Sequence, residues 1–258
     1  MEHLTVTLIQ ANLEWENKAA NLRHLNTLIE PLRTSTDLIV LPEMFTTGFS
    51  MNPQELAEPV NGPTLQWMQA CASKRNCVVT GSFIAQENGR YYNRLLWVQA
   101  DGSYSFYDKR HLFALGSEHQ HYSAGTQRPL MEVKGWKVLP LICYDLRFPA
   151  WSRNTDMYDL LLYVANWPQV RRNAWNTLLA ARAIENQSYT IGVNRVGADG
   201  NGVPHSGDSS VYDYAGEQVI HIAHAEGAYT VDLDASGQRH FREKLPFLKD
   251  RDKLEIEV

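Results

Sequence analysis

The chain of 258 residues is 44% hydrophobic, enough to bury a sizeable core in one compact domain. Its formal net charge of -5 and pI near 6.0 exclude the basic footprint that attracts nucleic acid or an anionic membrane surface, and leave a small molecule as the expected partner. Met1 to Gln10 has no positive stretch followed by an apolar one, and no apolar run approaches the roughly 18 residues of a membrane span, so a cytoplasmic location is expected.

In chain order, Leu4 to Gln10 reads as a strand and Asn17 to Leu32 as a helix with Leu22, Leu25, Leu28, Ile29 and Leu32 on one face. Asp37 to Leu41 is a strand, and a helix follows whose apolar side holds Leu65, Met68 and Cys71. Further strands are read at Cys77 to Phe83, Tyr91 to Gln99, Tyr104 to Lys109, Lys137 to Cys143 and Asp159 to Ala165. Arg171 to Gln187 has helical periodicity. Strands at Tyr189 to Val196, Ser209 to Asp213, Gln218 to Ile222 and Ala228 to Leu233 complete the chain, with a hairpin turn at Tyr214-Ala-Gly216. Strands mixed with helices predict a layered α/β protein. The near-continuous apolar runs after Asp37 and Asp159 predict sheets covered on both faces. No repeat or linker divides residues 1–258. Cys71, Cys77 and Cys143 are an odd number at unpatterned spacings, so free thiols are expected.

Three strands end on a reactive side chain: Val40-Leu-Pro-Glu-Met-Phe45 on Glu43, Tyr104-Ser-Phe-Tyr-Asp-Lys-Arg110 on Lys109, and Leu139-Pro-Leu-Ile-Cys-Tyr-Asp145 on Cys143. Ligands bind at strand carboxyl ends in open α/β sheets, so the three are candidates to converge. Taken singly, each has a plain alternative: Glu43 a solvated acid, Lys109 a surface charge, Cys143 a small core hydrophobe. Asp145 and Arg147 are read as a brace for the turn after Cys143.

Leu41-Pro-Glu-Met-Phe45, Tyr107-Asp-Lys-Arg-His-Leu-Phe113 and Cys143-Tyr-Asp-Leu-Arg-Phe-Pro149 resemble the three catalytic signatures of the nitrilase superfamily, in the usual chain order. Tyr163-Val-Ala-Asn-Trp-Pro168, Ala181-Arg-Ala-Ile-Glu-Asn-Gln187 and Gly207-Asp-Ser-Ser210 agree with it. The resemblance implies a four-layer α-β-β-α sandwich and a homodimer, with the segment from about residue 235 packing across it. It implies amide hydrolysis, most similar to that of bacterial omega-amidases, through a Cys143 thioester. Glu43 then acts as proton carrier, and Lys109 with the Tyr144 backbone N–H as oxyanion donors. Glu118, in Ser117-Glu-His-Gln-His-Tyr122, matches a second glutamate that positions the substrate in amidase members, with a solvated loop acid as the alternative. Neither metal nor organic cofactor is expected, since His119 and His121 lack a clear third ligand. A dicarboxylate monoamide needs its distal carboxylate held, and Arg171 and Arg172 are the candidate clamps, with a cap on a solvent-facing helix an equal alternative for either. Phe45, Asn166 and Trp167 are candidates for the pocket wall, with core packing an equal alternative for Phe45 and Trp167. The rival activities are a nitrilase, an N-carbamoyl amide hydrolase and, of a different class, a thiol redox protein using Cys143.

Overall fold

The computed structural model describes residues 3–33, 35–253 and 255–256. In chain order the first half forms β1 (His3–Gln10), α1 (Lys18–Ile29), β2 (Leu38–Val40), α2 (Pro53–Leu56), β3 (Glu58–Pro59), α3 (Pro63–Arg75), β4 (Val78–Glu87), β5 (Arg90–Val98), β6 (Tyr104–Asp108) and α4 (Glu118–His121). The second half adds β7 (Met131–Val133), β8 (Trp136–Ile142), α5 (Pro149–Ser152), β9 (Leu160–Ala165), α6 (Arg172–Asn186), β10 (Tyr189–Asn194), β11 (Val196–Ala198), β12 (Pro204–Tyr212), β13 (Gln218–Ala223), β14 (Gly227–Asp234) and α7 (Ala235–Lys244).

Two seven-stranded sheets result. One has the order β14-β1-β2-β4-β5-β6, with β3 on β4. The other has the order β11-β12-β10-β9-β8-β7, with β13 on β12. Alternation along β2 shows how they stack. Leu38 and Val40 join Leu4, Val6, Leu8, Leu95 and Trp97 in one apolar cluster with Leu139, Leu141 and Leu161 of the second sheet. Ile39 faces the other way with Val79 and Leu96, against Leu25 and Ile29 of α1 and Leu65, Met68 and Ala72 of α3. On the far side, Trp175, Leu179 and Ala183 of α6 close over the second sheet. The layers are therefore helix, sheet, sheet, helix in a single domain, and each fully buried Leu or Val contributes about 1.5–3 kcal/mol.

The sequence expectation differs from the structure in a few places. Tyr189 to Val196 is not one strand: β10 stops at Asn194 and β11 starts at Val196. Between them Arg195 turns wholly inward, donating to Leu13 O, Ala198 O and Asn12 Oδ1. Strand β12 starts at Pro204, five residues before the expected Ser209. The segment after Asp234 begins as α7, packed on its own chain: Arg242 donates to Gln187 O and Tyr158 O, and Gln238 donates to Asp159 O. Positions 254, 257 and 258 of that segment lie outside the described residues. All three cysteines are free.

Candidate active site

Strand β2 parallels β4, β8 parallels β9, and β6 runs antiparallel to β5, itself antiparallel to β4. The carboxyl ends of β2 and β6 in one sheet therefore lie at the same edge, and those of β8 and β9 meet them from the other sheet. Glu43 leaves β2, Lys109 leaves β6, Cys143 leaves β8 and Asn166 leaves β9. The structure brings all four together, with Glu118 from α4.

Lys109 Nζ donates to Glu43 Oε1 at 2.9 Å and to Glu118 Oε2 and Oε1 at 2.9 and 3.1 Å, with all three side chains fully buried. Asn93 of β5 spans both acids, its Nδ2 reaching Glu43 Oε1 at 2.8 Å and Glu118 Oε1 at 3.2 Å. Asn166 N donates to Glu43 Oε2 at 2.7 Å, and its Nδ2 to Glu43 O at 2.5 Å. A carboxylate has about four acceptor sites. Three on Glu43 are taken, which leaves room for the Cys143 side chain, also hydrogen-bonded to Glu43. Glu118 is further fixed by the Phe113 N–H at 2.6 Å.

Enclosure and the Glu43 charge push the Cys143 thiol well above its ordinary pKa, against the pull of Lys109, so it rests protonated. Burial works against the Lys109 charge, but Glu118 and Glu43 prevail and raise its pKa, keeping it an ammonium. Burial raises the Glu118 pKa against the opposing effect of Lys109. Cys143 has a left-handed backbone, φ +44°, at the head of a tight helical turn over 143–147. Backbone N–H groups at the start of such a turn have no partner within it, so the Tyr144 N–H beside the sulfur is placed to serve as a donor. The turn is braced by Asp145, which accepts from Ile142 N (3.0 Å), Tyr107 Oη (2.8 Å), His111 N (3.0 Å) and His111 Nδ1 (2.8 Å). Arg147 takes no part in that brace. It lies 5.0 Å over the Trp167 ring instead.

Cys143 and Lys109 open into a cavity of about 400 Å³ walled by Phe49, Met51, Phe113, Tyr144, Asn166, Trp167 and Val170, with Arg147, Arg171, Asp199, Asn201 and His205. Arg171 sits 5.2 Å over the Phe113 ring. Neither Arg147 nor Arg171 pairs with a carboxylate among the described residues. Two expected members stand elsewhere. Phe45 is fully buried in the helix-facing core, its ring 5.9 Å from that of Trp67 and filling the space above Gly81, where a Cβ would come within 3.0 Å of it. Arg172 is held by Asp208 at 2.5 Å, off the cavity. Sequence reasoning missed Asn93, Phe49 and Phe113. Asn93 left a trace as a lone amide amid an apolar strand, and Phe113 as the last residue of a quoted motif. Among the described residues, no group of three or more His, Cys, Asp or Glu is arranged to hold a metal ion. No helix there is long and apolar enough to cross a membrane.

A thiol, a carboxylate and an ammonium meeting at the strand ends of this sandwich define an enzyme that hydrolyses carbon–nitrogen bonds. The family model described as carbon-nitrogen hydrolase matches residues 5–243, and the chain belongs to that family, within the nitrilase superfamily. It is similar to the omega-amidase YafV of Escherichia coli, 47% identical over 99% of this chain and 100% of that one. It is also similar to the 2-oxoglutaramate amidase of Bacillus subtilis, 32% identical over 95% and 96%. A solved carbon-nitrogen hydrolase superfamily protein from Xanthomonas campestris, described with an arsenic adduct in its active site, is 41% identical. It superimposes with a TM-score of 0.97 over the whole of both chains. This chain is accordingly an enzyme, and an amidase.

Proposed function

We propose that the enzyme hydrolyses the terminal amide of small dicarboxylic acid monoamides, of the 2-oxoglutaramate and succinamate type, through a thioester on Cys143. Glu43 takes the thiol proton as the sulfur attacks the amide carbon. Lys109 and the Tyr144 N–H hold the oxyanion, each such donor lowering the barrier by about 2.7–4 kcal/mol. As the tetrahedral adduct collapses, Glu43 returns the proton to the departing ammonia. Glu43 then takes a proton from water, whose oxygen cleaves the thioester, and the proton goes back to sulfur. Glu118 keeps Lys109 charged and in place.

The observation carrying the substrate class is the pair Arg147 and Arg171, two guanidiniums with no carboxylate partner among the described residues, in the cavity that holds the thiol. A guanidinium suits a carboxylate bidentately, and the aromatic rings beneath both restrict their swing. The named activities of the Escherichia coli and Bacillus subtilis relatives support the same reading.

Ammonia release from 2-oxoglutaramate, succinamate, a neutral amide, a nitrile and an N-carbamoyl amino acid tests it, with faster turnover of either of the last two overturning it. Mass spectrometry of quenched enzyme should find an acyl adduct on Cys143, and Cys143→Ala should release no ammonia. Arg171→Gln should raise KM for succinamate about 10- to 100-fold, as for loss of a charged hydrogen bond. We further propose that the chain is a homodimer with its C-terminal segment at the interface, which light scattering of the purified protein checks.

A further inference from the structure

Strand β12 contains a bulge beside the site. Gly207 pairs with Ala223 and Ser209 with Ile222, so Asp208 is an extra residue with no counterpart on β13. Gly207 and Asp208 both have left-handed backbones, φ +71° and +58°. For a residue other than glycine this costs on the order of 1–3 kcal/mol, and the surroundings must hold it.

What the bulge achieves is the aim of Asp208. Fully buried, its carboxylate accepts from Arg172 Nη2 at 2.5 Å and His221 Nε2 at 2.9 Å on one oxygen, and from Ser206 Oγ at 2.5 Å on the other. Burial opposes the charge, but these donors prevail and hold its pKa below the ordinary carboxylate range. Its carbonyl accepts from Trp175 Nε1 at 2.8 Å. Arg172 and Trp175 both belong to the first turn of α6.

The residue before it fastens the preceding segment. Gly207 O accepts from Asn194 Nδ2 at 2.7 Å, and Asn194 clasps the Trp167 backbone from both sides, accepting its N–H at 2.7 Å and donating to its carbonyl at 3.0 Å. Trp167 Nε1 in turn donates to Arg171 O at 2.9 Å. The arm 166–172, which carries Trp167 and Arg171 into the cavity, is thus anchored from behind at both ends by two consecutive bulge residues.

We propose that Asp208 is a positioning residue for substrate selection: through Arg172 it fixes the arm so that Arg171 faces the cavity, and so sets the preference for amides that carry a distal carboxylate. Asp208 does not line the cavity and touches no reacting atom. The inference rests on the reading of Arg171 as a carboxylate clamp.

The test compares succinamate with butyramide, which has a methyl group in place of the carboxylate, by the ratio of their kcat/KM values. Asp208→Asn and Arg172→Gln should each lower that ratio about tenfold through KM for succinamate, and Arg172→Lys should restore most of it. A ratio within twofold of wild type in both variants, while Arg171→Gln lowers it, overturns the role of Asp208 and leaves the clamp standing. Equal losses on both substrates, not rescued by Arg172→Lys, reduce the network to scaffold and also overturn it. A wild type without preference for succinamate, or an Arg171→Gln variant that keeps one, overturns the clamp reading and this inference with it. Should Asp208→Asn fail to fold, Arg172→Gln carries the test alone, since that side chain is 40% exposed.

Discussion

Asn93 gives one amide nitrogen to two carboxylates that also share one ammonium. Without it, the fully buried Glu43 and Glu118 would each lose a donor. Asn93→Ala should therefore cost about 1–3 kcal/mol in urea unfolding and lower kcat about 10- to 100-fold. The sequence showed an amide inside a strand, but its partner Glu43 arrives from 50 positions away, a pairing that no local pattern encodes. Glu43, Lys109 and Cys143 each end a strand with a reactive group, but singly each has a plain alternative, and the resemblance of their three ordered motifs is what singles them out. His205, on the cavity wall, has its pKa lowered from 6.5 to about 4, first by burial and then by the Arg195 charge. It donates from Nδ1 to Val203 O at 3.0 Å as a neutral ring. The unfolded chain takes up this proton near pH 6.5 while the folded chain refuses it until about pH 4, so stability is fully present above 6.5 and is lost as pH falls through that window. The loss is on the order of 3 kcal/mol, and urea unfolding at stepped pH should show His205→Gln with a flatter profile than wild type.

At the scale of elements, α6 was readable almost to its ends, from Arg171 to Gln187 against the observed Arg172–Asn186, because its apolar face recurs with helical period. The break at Arg195 and the bulge at Asp208 were not readable: both are set by what the side chain bonds to across the sheet. Gly192 of β10 is a third such case. A Cβ there would lie 2.5 Å from Leu179 and 2.6 Å from Trp175, so its bare backbone is what lets α6 lie flat on the sheet. Gly192→Ala should lower stability by about 1–3 kcal/mol, seen as a lower Tm. Because the first turn of α6 carries Arg172, KM for the amide substrate should rise in the same variant.

For the whole molecule, the alternating strands and helices announced layers, and the apolar strands after Asp37 and Asp159 announced sheets covered on both faces. Which sheet faces which was not legible from the pattern and came only with the family resemblance. One edge of the first sheet is supplied from beyond the second sheet's strands, where β14 pairs with β1 from His3↔Asp234 to Gln10↔Gly227. The site is divided along the same line: Glu43, Asn93 and Lys109 come from the first sheet and its strand ends, Cys143 and Asn166 from the second. In urea, loss of ammonia release should overlay the fluorescence change of the buried Trp97, Trp136 and Trp175, and an activity midpoint well below the fluorescence midpoint would contradict that coupling. An enzyme assembled this way has no half-working form. A proteolytic nick or heat pulse that parted the layers would leave the Cys143 thiol on one slab and the Glu43 carboxylate on the other, and recovered turnover would certify that the entire architecture had closed again.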